Sequence, residues 1–165
     1  MFIAELVIRI SLASFFGWSA WRKLLDLSFF TTSVGNFQFD WQVSWASWGD
    51  GNFFGGPMDG IIAYSVPWFE LVAAVALLIP FSRAAGGVVL FLMLVAFNLG
   101  LAHAWSLGIT DLNCGCHGAS ETPTNFPLKI AENFGLMLLI AGGFYLRWYH
   151  QRLVRRNQAN SIPAI

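Results

Sequence analysis

The sequence predicts an all-α integral membrane protein, a four-helix bundle with an interfacial aromatic helix between spans one and two. Three observations lead there. Of the 165 residues 56% are hydrophobic and 11% charged, and mean hydropathy is +0.60, whereas soluble domains carry about 25% charged residues. The apolar residues gather into four runs, each long enough as a helix to cross roughly 30 Å of hydrocarbon. Polar, glycine- and proline-bearing connectors separate the runs. Lys plus Arg and Asp plus Glu are 9 each, so no basic excess marks a nucleic-acid partner; composition names the lipid bilayer instead. One membrane domain, about residues 1–150, accounts for the chain up to a short cytoplasmic tail, 151–165.

Span one covers about residues 2–25. It starts without a basic region or a small-residue cleavage site and therefore reads as a retained helix. Glu5 and Arg9 stand at i and i+4, acid first, which suits mutual neutralisation on one helix face. Arg22, Lys23 and Asp26 mark the exit from the membrane. The interfacial segment, 28–57, follows. Trp41, Trp45 and Trp48 fall on one helical edge, Asp40 is placed as an N-cap, and Phe37, Phe39, Phe53 and Phe54 flank them. Aromatic rings in such number settle at the headgroup level, so a helix lying on the membrane is expected, with a partner-binding surface as the competing reading.

Span two, about 58–80, carries Pro67 and Glu70. Proline within a span removes one backbone hydrogen bond and is expected to kink the helix. A carboxylate in lipid must face the bundle interior or be protonated, so Glu70 is either a bundle-locking hydrogen-bond partner or a proton-handling group. Span three, about 84–107, follows a tight turn at Arg83 and includes Asn98 and His103. Span four, about 128–149, opens with Lys129, Glu132 and Asn133, the first two spaced for an i,i+3 pair. Arg152, Arg155 and Arg156 lie in the tail beyond it, whose polar end is expected to fray.

Between spans three and four, about 108–127, lies Asn113-Cys-Gly-Cys-His-Gly118, which holds both cysteines of the chain. The pair has three physical readings: an exchangeable disulfide, a soft-metal site completed by His117, or two inert thiols. A Cys-x-Cys disulfide closes a small ring that departs from relaxed geometry, which favours exchange over a structural staple. Gly115 and Gly118 supply the backbone freedom such a ring needs, and a protonated His117 would lower a neighbouring thiol's pKa. Zinc sites usually space their cysteines by two to four residues and want a further ligand. Haem attachment needs Cys-x-x-Cys-His and fails by one residue.

Charge sets the topology. Four spans put the termini and the Arg83 turn on one side, the aromatic connector and the cysteines on the other. Basic residues favour the cytoplasm, so both termini are expected inside a bacterial inner membrane, with the cysteines facing the periplasm, where disulfides form.

Four elements carry a resemblance to a known family. These are Arg9-Ile-Ser-Leu-Ala-Ser-Phe-Phe-Gly17 with Lys23 and Asp26, Pro67-x-x-Glu70, the cysteine motif, and Asn133. With them the chain resembles the DoxX-like membrane proteins and, within those, the MauE-type methylamine-utilisation proteins. The resemblance implies a periplasm-facing thiol pair that supports disulfide formation or electron transfer, with a thioredoxin-like partner. On that reading Cys114 and Cys116 exchange with the partner, His117 tunes the attacking thiolate, and Glu70 with Asn133 handles protons or a quinone head group. The alternative is a non-catalytic accessory subunit of a larger respiratory or photosynthetic membrane complex, suggested by the aromatic connector and the small size.

Overall fold

The computed structural model describes residues 2–35, 52–53, 56–109 and 125–160. These form five helices: α1 (Phe2–Leu25), α2 (Leu27–Gly35), α3 (Met58–Leu78), α4 (Arg83–Ser106) and α5 (Phe126–Asn160). A two-residue antiparallel pair, β1 (Asn52–Phe53) with β2 (Gly56–Pro57), precedes α3. Four of the helices, all but α2, are long and apolar enough to cross a membrane. The protein is therefore a multi-pass membrane protein built on four helices.

The four spans form a ring in which α1 and α4 are each flanked by α3 and α5, and α2 packs outside against α3. At the centre, Leu12, Ala13 and Phe16 of α1 meet Ala73, Ala74 and Leu77 of α3, Leu90 and Leu94 of α4, and Ile140 of α5. Small residues dominate the closest contacts because membrane helices gain little from hydrophobic burial and associate through van der Waals packing. Gly86 is the tightest point. A Cβ there would stand 2.7 Å from the Ala73 carbonyl oxygen, so only glycine lets α4 approach α3 this closely. No span has more than 33% of its most apolar window buried in the bundle, and outward-facing Trp18, Trp21, Trp68, Phe69 and Leu138 are more than half exposed. That apolar exterior is what lipid contact requires.

Several elements differ from the sequence-based expectation. A helix, α2, begins directly after span one, at the head of the expected interfacial segment, where the sequence reading placed no helix. Asp26 caps it, accepting from the backbone N–H of Phe29 at 3.1 Å and from the Ser28 hydroxyl at 3.0 Å. Phe30 and Val34 of α2 then bury against Ala63 of α3. The tryptophan helix expected over 41–48 lies outside the described residues. Pro67 stands inside α3, Met58–Leu78, as it does in the expected span two. Span four starts earlier than expected, with Asn125 as its cap, its side-chain oxygen taking the Leu128 N–H at 3.2 Å. It also continues as helix through Asn160, past the arginines of the tail, and the rest of the polar end expected to fray, 161–165, lies outside the described residues. At 1.5 Å per residue α5 is about 52 Å long, so roughly 20 Å of it projects beyond the hydrocarbon.

Glu5 and Arg9 do not neutralise each other. Glu5 pairs with Arg83 of α4 at 3.0 Å. Arg9 instead donates to the carbonyls of Leu77, at 2.8 and 2.6 Å, and Leu78, at 3.0 Å. These are last-turn carbonyls of α3, which have no partner within their own helix. The expected Lys129–Glu132 pair forms, at 2.8 Å.

Candidate functional site

Lys23 sits two residues from the end of α1, and Glu70 lies in the middle of α3. Their side chains meet inside the bundle, with Lys23 Nζ 2.5 Å from Glu70 Oε2 and both side chains at most 3% exposed. Lys23 is thus a buried bundle residue and does not mark the water-facing exit of span one. The long lysine stem allows this, since side chains on a helix lean toward its N-terminus and carry the ammonium back into the bundle. Two rings close over the charge. Lys23 Nζ lies 5.5 Å from the Phe30 ring centroid of α2 and 5.3 Å from that of Phe97 of α4, both within cation–π range. The α2 helix, tied down by Asp26, therefore serves as a cover for the pair.

A cleft opens beside it, lined by Ser19, Lys23, Glu70, Phe97, Lys129 and Asn133 among others. Asn133 is buried and donates through Nδ2 to the side-chain oxygen of Asn98 at 2.9 Å. Asn98 in turn reaches Met137 Sδ at 3.8 Å, so an amide relay joins α5 to α4. Among the described residues the interior of the cleft is about 20 Å³, room for a single water molecule. That space lies next to the Lys23–Glu70 ion pair.

Of the residues singled out from sequence, the structure brings Glu70 and Asn133 to one cleft. Cys114, Cys116 and His117 lie outside the described residues. The segment that carries them leaves α4 and enters α5 at a small buried cluster of Leu101, Ala104 and Phe126, with Ile109 and Ile130 packed against it. Lys129 and Asn133 follow within two turns of that entry. Sequence reasoning missed Lys23 and Asn98. The available signal for Lys23 was the lone carboxylate of span two, because ionisable groups inside a membrane pair with one another. Among the described residues no group of three or more His, Cys, Asp or Glu side chains could hold a metal ion.

A family model described as methylamine utilisation protein MauE matches residues 1–146, which include the first three spans, the cysteine motif and the first part of the fourth span. The chain belongs to the MauE family. No curated protein and no solved structure matches it. In this MauE-family chain, the lysine at the end of the first span and the glutamate of the second, read above as separate motif elements, prove to be one contact.

Proposed function

We propose that this protein is an accessory membrane protein of methylamine utilisation that works by thiol–disulfide exchange at Cys114 and Cys116. The observation that carries the reading is the MauE match, which runs from the first span through the cysteine motif into the fourth span. Kinship with the wider DoxX-like proteins belongs to the same proposal. The thiolate of a reduced thioredoxin-like partner attacks the Cys114–Cys116 disulfide, giving a mixed disulfide and one free thiolate here. The partner's second thiolate then closes its own disulfide and releases the second cysteine, so two electrons and two protons end on this chain. The reverse sequence delivers them. His117, next in sequence to Cys116, favours the thiolate when protonated.

Glu70 already has its counter-charge in Lys23, so we assign the pair to holding α1 and α3 together and leave proton transfer to groups nearer the cysteines. Arginines 147, 152, 155 and 156 lie on the far part of α5. The positive-inside preference then puts both termini in the cytoplasm of a bacterial inner membrane and the cysteines on the periplasmic side.

A gel-shift titration with a bulky maleimide in native membranes, poised over a range of thiol potentials, tests the proposal. A reversible two-electron transition of Cys114 and Cys116 is expected, together with loss of methylamine-dependent growth in the C114S/C116S variant. Thiols that stay labelled at every potential, or a bond that resists reduction, would overturn it. A second reading, a non-catalytic accessory subunit of a larger membrane complex, draws on the projecting end of α5 with its exposed arginines. That reading requires partner co-purification in mild detergent that survives the double cysteine replacement.

A further inference from the structure

A second groove lies at the opposite end of the bundle from the Lys23–Glu70 pair, where α1, α4 and α5 converge beside the turn between α3 and α4. Its interior is about 40 Å³, and its rim holds Glu5, Arg9, Arg83 and Arg147. Among the described residues three guanidinium groups face one carboxylate, which leaves two positive charges there without a counter-charge. Arg83 is matched to Glu5 through Nη1, yet its Nε is buried and has no hydrogen-bond partner among the described residues. Among the described residues Arg9 is bonded to carbonyl oxygens, which carry no net charge. Arg147 has no ion-pair partner among the described residues. An orphaned buried N–H beside uncompensated cations describes a site short of one anion.

The depth of the groove says which anion. Arg147 stands 21 residues after the start of α5, about 32 Å along the helix and so at the edge of the hydrocarbon. Around it Tyr145 packs on Trp148 and Tyr149, with ring centroids 6.0 and 6.3 Å apart, an aromatic cluster of the kind that marks the headgroup layer. The groove walls below are apolar and half open to the outside, with Leu139 47% and Phe144 37% exposed. A ligand there must be anionic at one end and hydrocarbon at the other.

We propose that this groove binds an anionic phospholipid, its phosphate against Arg83 Nε, Arg9 and Arg147 and an acyl chain along Leu139 and Phe144. Basic pockets between spans on one membrane face take lipid phosphates in this manner. The bound lipid supplies the missing counter-charge and locks the helix ends at the α3–α4 turn. This proposal is independent of the thiol chemistry.

The test uses the full-length chain in detergent, supplemented with phosphatidylglycerol, phosphatidylcholine or inorganic phosphate and weighed by native mass spectrometry. A single phosphatidylglycerol retained per chain in preference to phosphatidylcholine is expected. Arg147→Gln should lower that retention roughly fivefold, the effect of one basic residue at an anionic surface. Arg147→Lys should keep most of it, and Arg156→Gln, which lies outside the groove, should change nothing. Equal retention of the two lipids, or equal loss in Arg147→Gln and Arg156→Gln, would overturn the proposal. Displacement of the lipid by inorganic phosphate at the same concentration would also overturn it and assign the groove to a free anion.

Discussion

Lys23 and Glu70, 47 positions apart, form a buried ion pair whose Nζ–Oε2 distance is 2.5 Å. Moving two such charges out of water costs several kcal/mol per ion, and only their mutual attraction, the rings of Phe30 and Phe97 and the surrounding cleft offset it. Removing one partner strands the other. Lys23→Met or Glu70→Leu alone should therefore destabilise the protein by about 3–5 kcal/mol, whereas the double replacement should recover most of that loss. A double-mutant cycle read by reversible unfolding in mixed micelles measures the coupling. Additive single effects would show that the two charges do not depend on each other.

How this pair stayed hidden in the sequence has a physical explanation. Hydropathy and length suffice to read the four spans, because the bilayer forces every backbone group in a span to be satisfied within the helix. They do not say which charge meets which. Lys23, one turn from an aspartate and beside Arg22, has the pattern of a residue leaving the membrane. What keeps it inside is α2, and α2 is poorly legible because Phe29, Phe30, Thr31 and Thr32 favour strand over helix. Only the Asp26 cap announces it. Glu5 and Arg9 fail for a related reason: their i,i+4 spacing is a local signal, and tertiary partners at Arg83 and Leu77 outcompete it. Asn133 was visible as a polar residue in a span, but its partner Asn98 is 35 positions away, and no spacing rule connects them.

Arg9 is a side-chain cap for the C-terminus of α3. Arg9→Leu would leave the Leu77 and Leu78 carbonyls without these bonds at the bundle end. The expected cost is about 1–3 kcal/mol, the penalty of stranded polar groups. Arg9→Lys should restore only part of it, because an ammonium does not reproduce the planar fork that spans two carbonyls. Thermal unfolding in one detergent, compared across the three proteins, gives the order wild type, Lys, Leu. Equal stability of the lysine and leucine variants would refute the capping role.

Gly86 and Gly87 are neighbours with different consequences. A Cβ at Gly86 meets the Ala73 carbonyl oxygen at 2.7 Å and the Leu77 backbone nitrogen at 3.0 Å, atoms that cannot move without shifting α3. At Gly87 the nearest atom is the tip of the Phe144 ring, 2.9 Å away, which a small χ rotation relieves. Gly86→Ala should therefore cost about 1–3 kcal/mol, in the range for overpacking, and Gly87→Ala less. If Gly87→Ala proved the more damaging, α4 would be held by its contact with α5 and not by its approach to α3.

The amide contact between Asn133 and Asn98 separates a structural role for the cleft from a chemical one. Hydrogen bonds between membrane helices are worth about 0.6 kcal/mol on average and at most about 1.7. Asn133→Leu should lose about that in stability, because it takes the donor from Asn98 Oδ1 while the bond from Asn98 Nδ2 to Met137 Sδ persists. If Cys114 and Cys116 exchange thiols with a partner and Asn133 merely joins α5 to α4, the variant should exchange at a near-normal rate once folded. Asn133→Asp is the sharper case, since it sets a second carboxyl group beside Glu70 in the cleft with Lys23 and Lys129. Two carboxylates in one small site disfavour joint ionisation, so the Lys23–Glu70 pair should weaken and stability should fall further than in Asn133→Leu. Measuring unfolding and maleimide-detected exchange on the same preparations distinguishes the two. A loss of exchange in Asn133→Leu without loss of stability would move Asn133 from the scaffold into the chemistry.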